Sequence, residues 1–201
     1  MKKVLSLLLM FFAVSAVFGT ENAKVFAPDF NDPKTFFSPT AYFEMQKDLV
    51  FDTVNDKKVL VVERGKPVAR VRFRSAITGD ADYGCSFTLR RKGATSAFGV
   101  CFSGKGSFNG PGTIFVNSNG YVYLWTVDKK WHKTDLILKA DVDYKFSIKV
   151  IAAEKKYVVK IDGIGEAEMN YDSMPEVTYV MLNPQPPQGN INYISDLKFF
   201  R

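Results

Sequence analysis

Residues Tyr144–Gly163 read YKFSIKVIAAEKKYVVKIDG. Tyr144, Phe146, Ile148 and Val150 alternate with Lys145, Ser147 and Lys149, the period of a strand with one buried face. Tyr157, Val159 and Ile161 alternate in the same way with Val158, Lys160 and Asp162. Two such runs joined by Ala152 to Lys156 predict an antiparallel hairpin. Both apolar sets share one face only if the loop holds an even number of residues. The loop has neither Gly nor Asn, so four residues suit it better than a primed two-residue turn. Gly163 then lets the backbone turn sharply.

The same pattern recurs through the chain. Leu49, Phe51 and Thr53 form one alternating set, and Asn55 to Lys58 reads as a turn before a strand at Val59 to Arg64. Ala41 to Phe51 fits a helix or a strand at its start. Asp32-Pro33 marks a break. Thr178 to Leu182 is apolar and β-rich, Asn183 to Gly189 is a proline-rich loop, and Asn190 to Phe200 is the last strand. Many short strands and frequent turns predict an all-β, two-sheet antiparallel sandwich.

The start of the chain has another purpose. Lys2 and Lys3 precede an apolar run from Val4 to Val17, followed by Gly19 and Thr20. This is a secretory signal peptide, too short for a membrane span, with cleavage after Gly19 or alternatively Ala23. Residues 1–19 are thus expected to be removed and 20–201 to form one domain. Its basic start and short apolar run suit a bacterial periplasmic or secreted protein. About 180 residues can bury roughly 70% of their unfolded surface. Losing Lys2 and Lys3 lowers the formal charge from +6 to +4. A charge that mild, on an exported chain, argues against nucleic acid as a partner. The 18 Phe read as core filling.

Arg70, Arg72 and Arg74 alternate with Ala69, Val71 and Phe73, so a strand sets all three on one face. Either carboxylates on neighbouring strands pair with this ridge, or it meets an anionic partner such as an acidic glycan. Asp80 and Asp82 could contribute to a calcium site but lack its remaining ligands and spacing, so calcium stays open. No cofactor motif occurs: the glycine-rich KGSFNGPG lacks a phosphate-loop signature.

Cys85 to Arg91 and Ala97 to Ser103 read as a hairpin turning at Gly93. A five-residue loop sets Cys85 opposite Cys101, and in an oxidising compartment the pair predicts a disulfide contributing about 3 kcal/mol. Two buried free thiols are the alternative. Thr113 to Asn117 and Tyr121 to Thr126 flank Asn119-Gly120, a strong hairpin signal. A two-residue turn sets Val116 against Tyr123 and Ile114 against Trp125, with Phe115 on the face of Val122 and Leu124. Tyr121, Tyr123 and Trp125 then line one face. They either present their rings outward or face the core, and Ile114 and Val116 on the same face favour the core.

VFAPDFND, FGVCFSGKG, NSNGYVYLW, the run from Trp131 to Gly163 and the closing INYISDLKFF together resemble the concanavalin A-like lectin/glucanase superfamily, in particular its laminin G-like jelly rolls. The resemblance covers nearly the whole mature chain and is most specific from Trp131 to Asp162-Gly163. It implies a jelly roll with first and last strands adjacent, and a glycan bound on a concave face or at loop tips. Tyr121, Tyr123, Trp125 and Trp131 are then the expected ligand-binding residues.

Retaining glycoside hydrolases of that superfamily need two carboxylates held close together. The alternating Glu166 and Glu168 lie in a polar segment after Gly163, and His132 is the only histidine, so neither supplies an evident catalytic set. The expected function is a non-catalytic exported module that binds carbohydrate or a cell-envelope polymer. A structural or protein-interaction domain of the envelope, or a hydrolase with an unrecognised site, are the competing readings.

Overall fold

A computed structural model describes residues 25–43, 49–63, 69–79, 81–104, 110–126, 128–173, 176–185 and 190–201, without the side chains of 183–185. The expected signal peptide and Asp80 lie outside these residues. The strands in chain order are β1 (Val25–Phe26), β2 (Ala41–Phe43), β3 (Val50–Val54), β4 (Lys57–Glu63), β5 (Ala69–Ile77), β6 (Tyr83–Lys92), β7 (Ala97–Ser103) and β8 (Ile114–Val116). They continue as β9 (Tyr121–Trp125), β10 (Trp131–Ile137), β11 (Asp143–Ile151), β12 (Lys156–Ile161), β13 (Gly165–Asn170), β14 (Val177–Gln185) and β15 (Ile191–Phe200). Among the described residues a single 3₁₀ turn, Pro33–Phe36, follows Asp32, whose side chain accepts the Lys34 N–H at the expected break. Among the described residues no helix is long and apolar enough to cross a membrane.

The hairpin of β11 and β12 follows the parity argument. Ile151 pairs with Lys156 across a four-residue loop, and Phe146, Ile148, Val150, Tyr157, Val159 and Ile161 all point into the core. Lys155 takes a positive φ to close the loop. At Gly163 the chain turns again with φ 75°. The polar segment beyond it is a strand, β13, paired along its length with β12. Glu166 and Glu168 face solvent there while Ala167 and Met169 pack partly against the core. Charges of this kind discourage further pairing at a sheet edge.

Two antiparallel sheets result. One runs β13-β12-β11-β6-β15-β4-β3, with β1 also on β15, and the other β10-β9-β8-β7-β14-β5-β2. The first and last strands are adjacent, Phe26 opposite Phe199. Phenylalanines fill the space between the sheets. Phe87 stacks on Phe146 within one sheet, ring centroids 5.0 Å apart, and meets Phe98 of the other sheet edge-on at 5.9 Å. A second group, Phe26, Phe30, Phe36, Phe43 and Phe51, closes the end beside the terminal strands.

The expected Cys85–Cys101 disulfide does not form. β6 and β7 are consecutive but do not pair, because β6 lies between β11 and β15 while β7 lies between β8 and β14 in the opposite sheet. Cys85 points into the core beside Phe87 and Leu89. On β7 it is Phe98, Val100 and Phe102 that point inward, so Cys101 faces the other way, near the Ser103 hydroxyl at 3.2 Å. Both cysteines are free thiols. Burial pushes both thiols above their ordinary value, Cys85 the more strongly. The reactive species is the thiolate. A thiol reagent at neutral pH should therefore leave Cys85 untouched in the native protein and label two cysteines once it is unfolded. A single thiol-free band on unreduced gels, with no labelling after unfolding, would contradict this.

Candidate functional site

The aromatic face depends on the turn between β8 and β9. The Asn-Gly signal does make a hairpin, but its loop holds three residues, not two. Asn117 and Tyr121 pair, the Gly120 N–H donates to the Asn117 carbonyl at 2.9 Å, and the Asn117 side chain accepts the Tyr121 N–H at 3.0 Å. Gly120 adopts φ 87°, and a Cβ there would lie 2.0 Å from the Leu138 carbonyl oxygen. The extra residue shifts the register by one, which exchanges faces in a strand pair. Ile114 pairs with Leu124, Phe115 with Tyr123 and Val116 with Val122. Ile114 and Val116 therefore enter the core with Val122 and Leu124. Phe115 moves to the opposite side and joins the tyrosines.

Tyr121, Tyr123, Trp125 and Phe115 are half-buried on the outer face of the seven-stranded sheet. On β10, Trp131 stands opposite Trp125 and is 42% exposed. The two indoles meet edge-on with centroids 5.0 Å apart, Phe115 lies 5.7 Å from Trp131 and 6.2 Å from Tyr123. The Lys133 ammonium sits 3.5 Å above the Tyr121 ring. The Trp125 carbonyl accepts the buried Tyr157 hydroxyl of the other sheet at 2.7 Å, which fixes the end of β9. All four rings expected from the sequence are thus brought together, and Phe115 is the one that the wrong register concealed.

The arginine ridge lies on the same face of the same sheet. Arg70, Arg72 and Arg74 point outward from β5 while Ala69, Val71 and Phe73 are buried. Arg70 and Arg72 lie over the Tyr179 ring of β14, at 4.9 and 5.5 Å from its centroid. Arg74 lies 5.1 Å from the Tyr42 ring of β2, donates to the Ser38 carbonyl at 2.7 Å, and Tyr42 in turn stacks on Phe37. Tyr179 and Tyr42 could not be assigned to this face from local pattern, since their strands pair with β5 from elsewhere in the chain, and Phe37 reaches it through a bridge to Tyr42.

The remaining candidates fall elsewhere. The Asp82 carboxylate accepts the Ala152 N–H at 2.9 Å and lies 3.8 Å from the Lys149 ammonium, so it is committed to the loop between β11 and β12. His132, Asp135, Glu166 and Glu168 line a small cleft of about 240 Å³ where the edge strands β10 and β13 approach each other. Glu168 and Glu154 both pair with Lys156. Among the described residues no three His, Cys, Asp or Glu side chains are grouped to hold a metal ion.

No protein-family model and no curated protein matches the sequence. Solved structures do match in three dimensions. The winged bean acidic lectin, complexed with methyl-α-D-galactose, superposes with a TM-score of 0.56 at 10% identity, covering 89% of this chain and 98% of its own. A carbohydrate-binding module from Bacillus subtilis gives 0.50 at 9% identity, covering 81% and 98%. An alginate lyase of polysaccharide lyase family 7 gives 0.53 at 10% identity, covering 76% and 82%. At such identities the likeness is one of fold: the protein has the concanavalin A-like jelly-roll sandwich.

Proposed function

We propose that this is a non-catalytic carbohydrate-binding module, exported to the periplasm or beyond, that receives glycan or cell-envelope polymer on the outer face of the seven-stranded sheet. One observation carries the reading. Phe115, Tyr121, Tyr123, Trp125 and Trp131 project from three adjacent strands away from a core already filled by Ile114, Val116, Val122 and Leu124. A partly exposed group of five rings needs another reason to exist. Sugars present apolar C–H faces that stack on rings, and the tyrosine hydroxyls and indole N–H groups add polar contacts. The lectin and the carbohydrate-binding module among the similar folds support this reading. Along β8, β9 and β10, the strands that carry the rings, the single carboxylate is Asp135.

A glycan array probed with the mature protein tests the proposal. Trp131→Ala is expected to weaken binding to any array ligand about tenfold, ~1.4 kcal/mol, in line with loss of one exposed stacking ring. Its unfolding midpoint should stay near that of the parent, because Trp131 is an exposed edge-strand residue. Unchanged affinity in Trp131→Ala and Trp125→Ala would remove the site from this face. Release of new reducing ends or unsaturated sugars from a bound polymer would replace the module by an enzyme.

A further inference from the structure

Resting on the carbohydrate reading above, we infer that the ligand of the aromatic face is a single hydrated glycan chain, held over a few sugar units, and not the flat face of a crystalline or close-packed polysaccharide. The inclination of the rings decides this. Trp125 and Trp131 meet at 69°, Phe115 and Trp131 at 50°, and Phe115 and Tyr123 at 42°. A sugar stacks on a ring through its apolar C–H face, so the two must lie nearly parallel. No plane comes closer than about 35°, half of 69°, to both indoles at once. A rigid flat surface therefore stacks on one of these rings and meets the others on their edges. A separate chain turns at each glycosidic bond and presents successive sugars at different inclinations.

The rings are also packed on one another. Neighbouring centroids lie 5.0, 5.7 and 6.2 Å apart, inside the range of roughly 4.5–7 Å that marks aromatic rings in contact. Phe115 and Trp131 belong to β8 and β10, with β9 between them. Two inter-strand steps set their backbones about 10 Å apart. Their side chains therefore lean together above β9, and the group stands as one raised, faceted knob. Rings meant for a fibre surface would lie flat and in line. Trp131 is the exposed ring of the group and the others are half-buried, so a flat solid would touch Trp131 and little else.

One end of the group is closed. The Lys133 ammonium lies 3.5 Å from the centre of the Tyr121 ring and so occupies a face that a sugar would otherwise take. Tyr121 bounds the stacking area instead of extending it, and the ammonium offers N–H donors to sugar hydroxyls at that boundary. Phe115, Tyr123, Trp125 and Trp131 remain. Four rings in mutual contact span roughly 10–15 Å, the length of about two or three sugar rings.

The experiment sets soluble against solid forms of the same chain. The mature protein is mixed with hydroxyethyl cellulose and microcrystalline cellulose, with glycol chitin and chitin powder, with soluble and granular starch, and with the oligosaccharides of the glycan array. At least one soluble chain is expected to bind, and any solid that holds the protein should release it to its soluble partner. In a series of one to six units of the bound chain, affinity should rise tenfold or more up to about three units and then stay within about twofold. Phe115→Leu should weaken binding of the three-unit ligand severalfold, because that short chain already meets the rings of β8 and β10. Trp131→Ala, at an exposed position, should weaken the same ligand about tenfold and serves if the Phe115 variant fails to fold. A solid that holds the protein against its soluble partner, and loses it in Trp131→Ala, would overturn the inference and leave the carbohydrate reading intact. So would affinity that climbs steadily to six units, or ring substitutions that weaken only ligands longer than three. Binding to no carbohydrate in either form would defeat the carbohydrate reading as well.

Discussion

Replacing Arg91 by methionine is expected to cost about 3 kcal/mol or more of folding stability, seen as a lower urea midpoint at unchanged slope. Arg91, the last residue but one of β6, lies inside the sandwich, 2% exposed, close to where the chain leaves one sheet for the other. Its guanidinium donates to three carbonyls: Ser96 at 2.7 Å, Leu138 at 3.1 Å and Ser118 at 2.7 Å. Ser96 lies at the crossover, Ser118 in the turn between β8 and β9, and Leu138 just beyond β10. One side chain therefore ties together three segments that belong to both sheets. Methionine fills similar space but leaves three carbonyls without that donor, at about 1–3 kcal/mol for each buried one that finds no other. Relief from desolvating a cation, which already holds the Arg91 pKa below its ordinary value, offsets part of the loss. Lysine keeps the charge but cannot span three acceptors in one plane, so Arg91→Lys should fall between parent and methionine. A methionine variant within about 0.5 kcal/mol of the parent would mean the corner is held by packing alone.

Raising the pH past 10 is expected to unfold the protein steeply. Tyr83 and Tyr157 are buried, and each phenol donates to a carbonyl at 2.7 Å, Tyr83 to Pro111 and Tyr157 to Trp125. Desolvation pushes both far above the ordinary value of 10.0, with Tyr171 and Tyr157 adding a smaller electrostatic push at Tyr83. In the unfolded chain both would ionise near pH 10, whereas in the fold they stay protonated. Above that pH the folded state binds more protons, so stability is intact below about pH 10 and falls as pH rises. Each such group contributes up to ~1.4 kcal/mol per pH unit, and the pair up to ~2.7. Tyr83→Phe should begin less stable at pH 8 by about 1 kcal/mol, because the Pro111 carbonyl loses its donor, yet show half the pair's share of the alkaline slope. Urea midpoints between pH 8 and 11.5 for the parent and for both phenylalanine variants provide the measurement. Identical slopes in all three would contradict the assignment.

Local alternation states which residues share a face. It placed the buried residues of β11 and β12 and the outward arginines of β5, and it grouped Tyr121, Tyr123 and Trp125 on one face, but by setting Ile114 and Val116 beside them it favoured the core for rings that lie outside. Alternation does not state which strands meet. Cys85 and Cys101 were paired because their segments are consecutive, although the inward run Phe98, Val100 and Phe102 already puts Cys101 on the other side of its strand. The Asn119-Gly120 signal located a turn, but Asn117 used its own side chain to lengthen the loop by one residue and so brought Phe115 to the site. β13 escaped notice because an edge strand with Glu at its exposed positions looks like a polar loop. The ring partners of the arginines were illegible for a plainer reason. Tyr179 is more than a hundred residues from Arg72 along the chain, and only the closed fold makes them neighbours.

β15 occupies the middle of its sheet, flanked by β6 along its length, by β4 on one half and by β1 on the other, with Asp196 at positive φ where the second partner changes. This central strand is also the last to be synthesised of those described. Until residues 191–200 have left the ribosome, β4 and β6 have an empty lane between them and β1 has nothing to join. The remaining strands then expose unpaired edges and an open set of phenylalanines. Closure of the sheet is thus a late, long-range event, which favours slow folding and makes a nascent chain dependent on protection from aggregation.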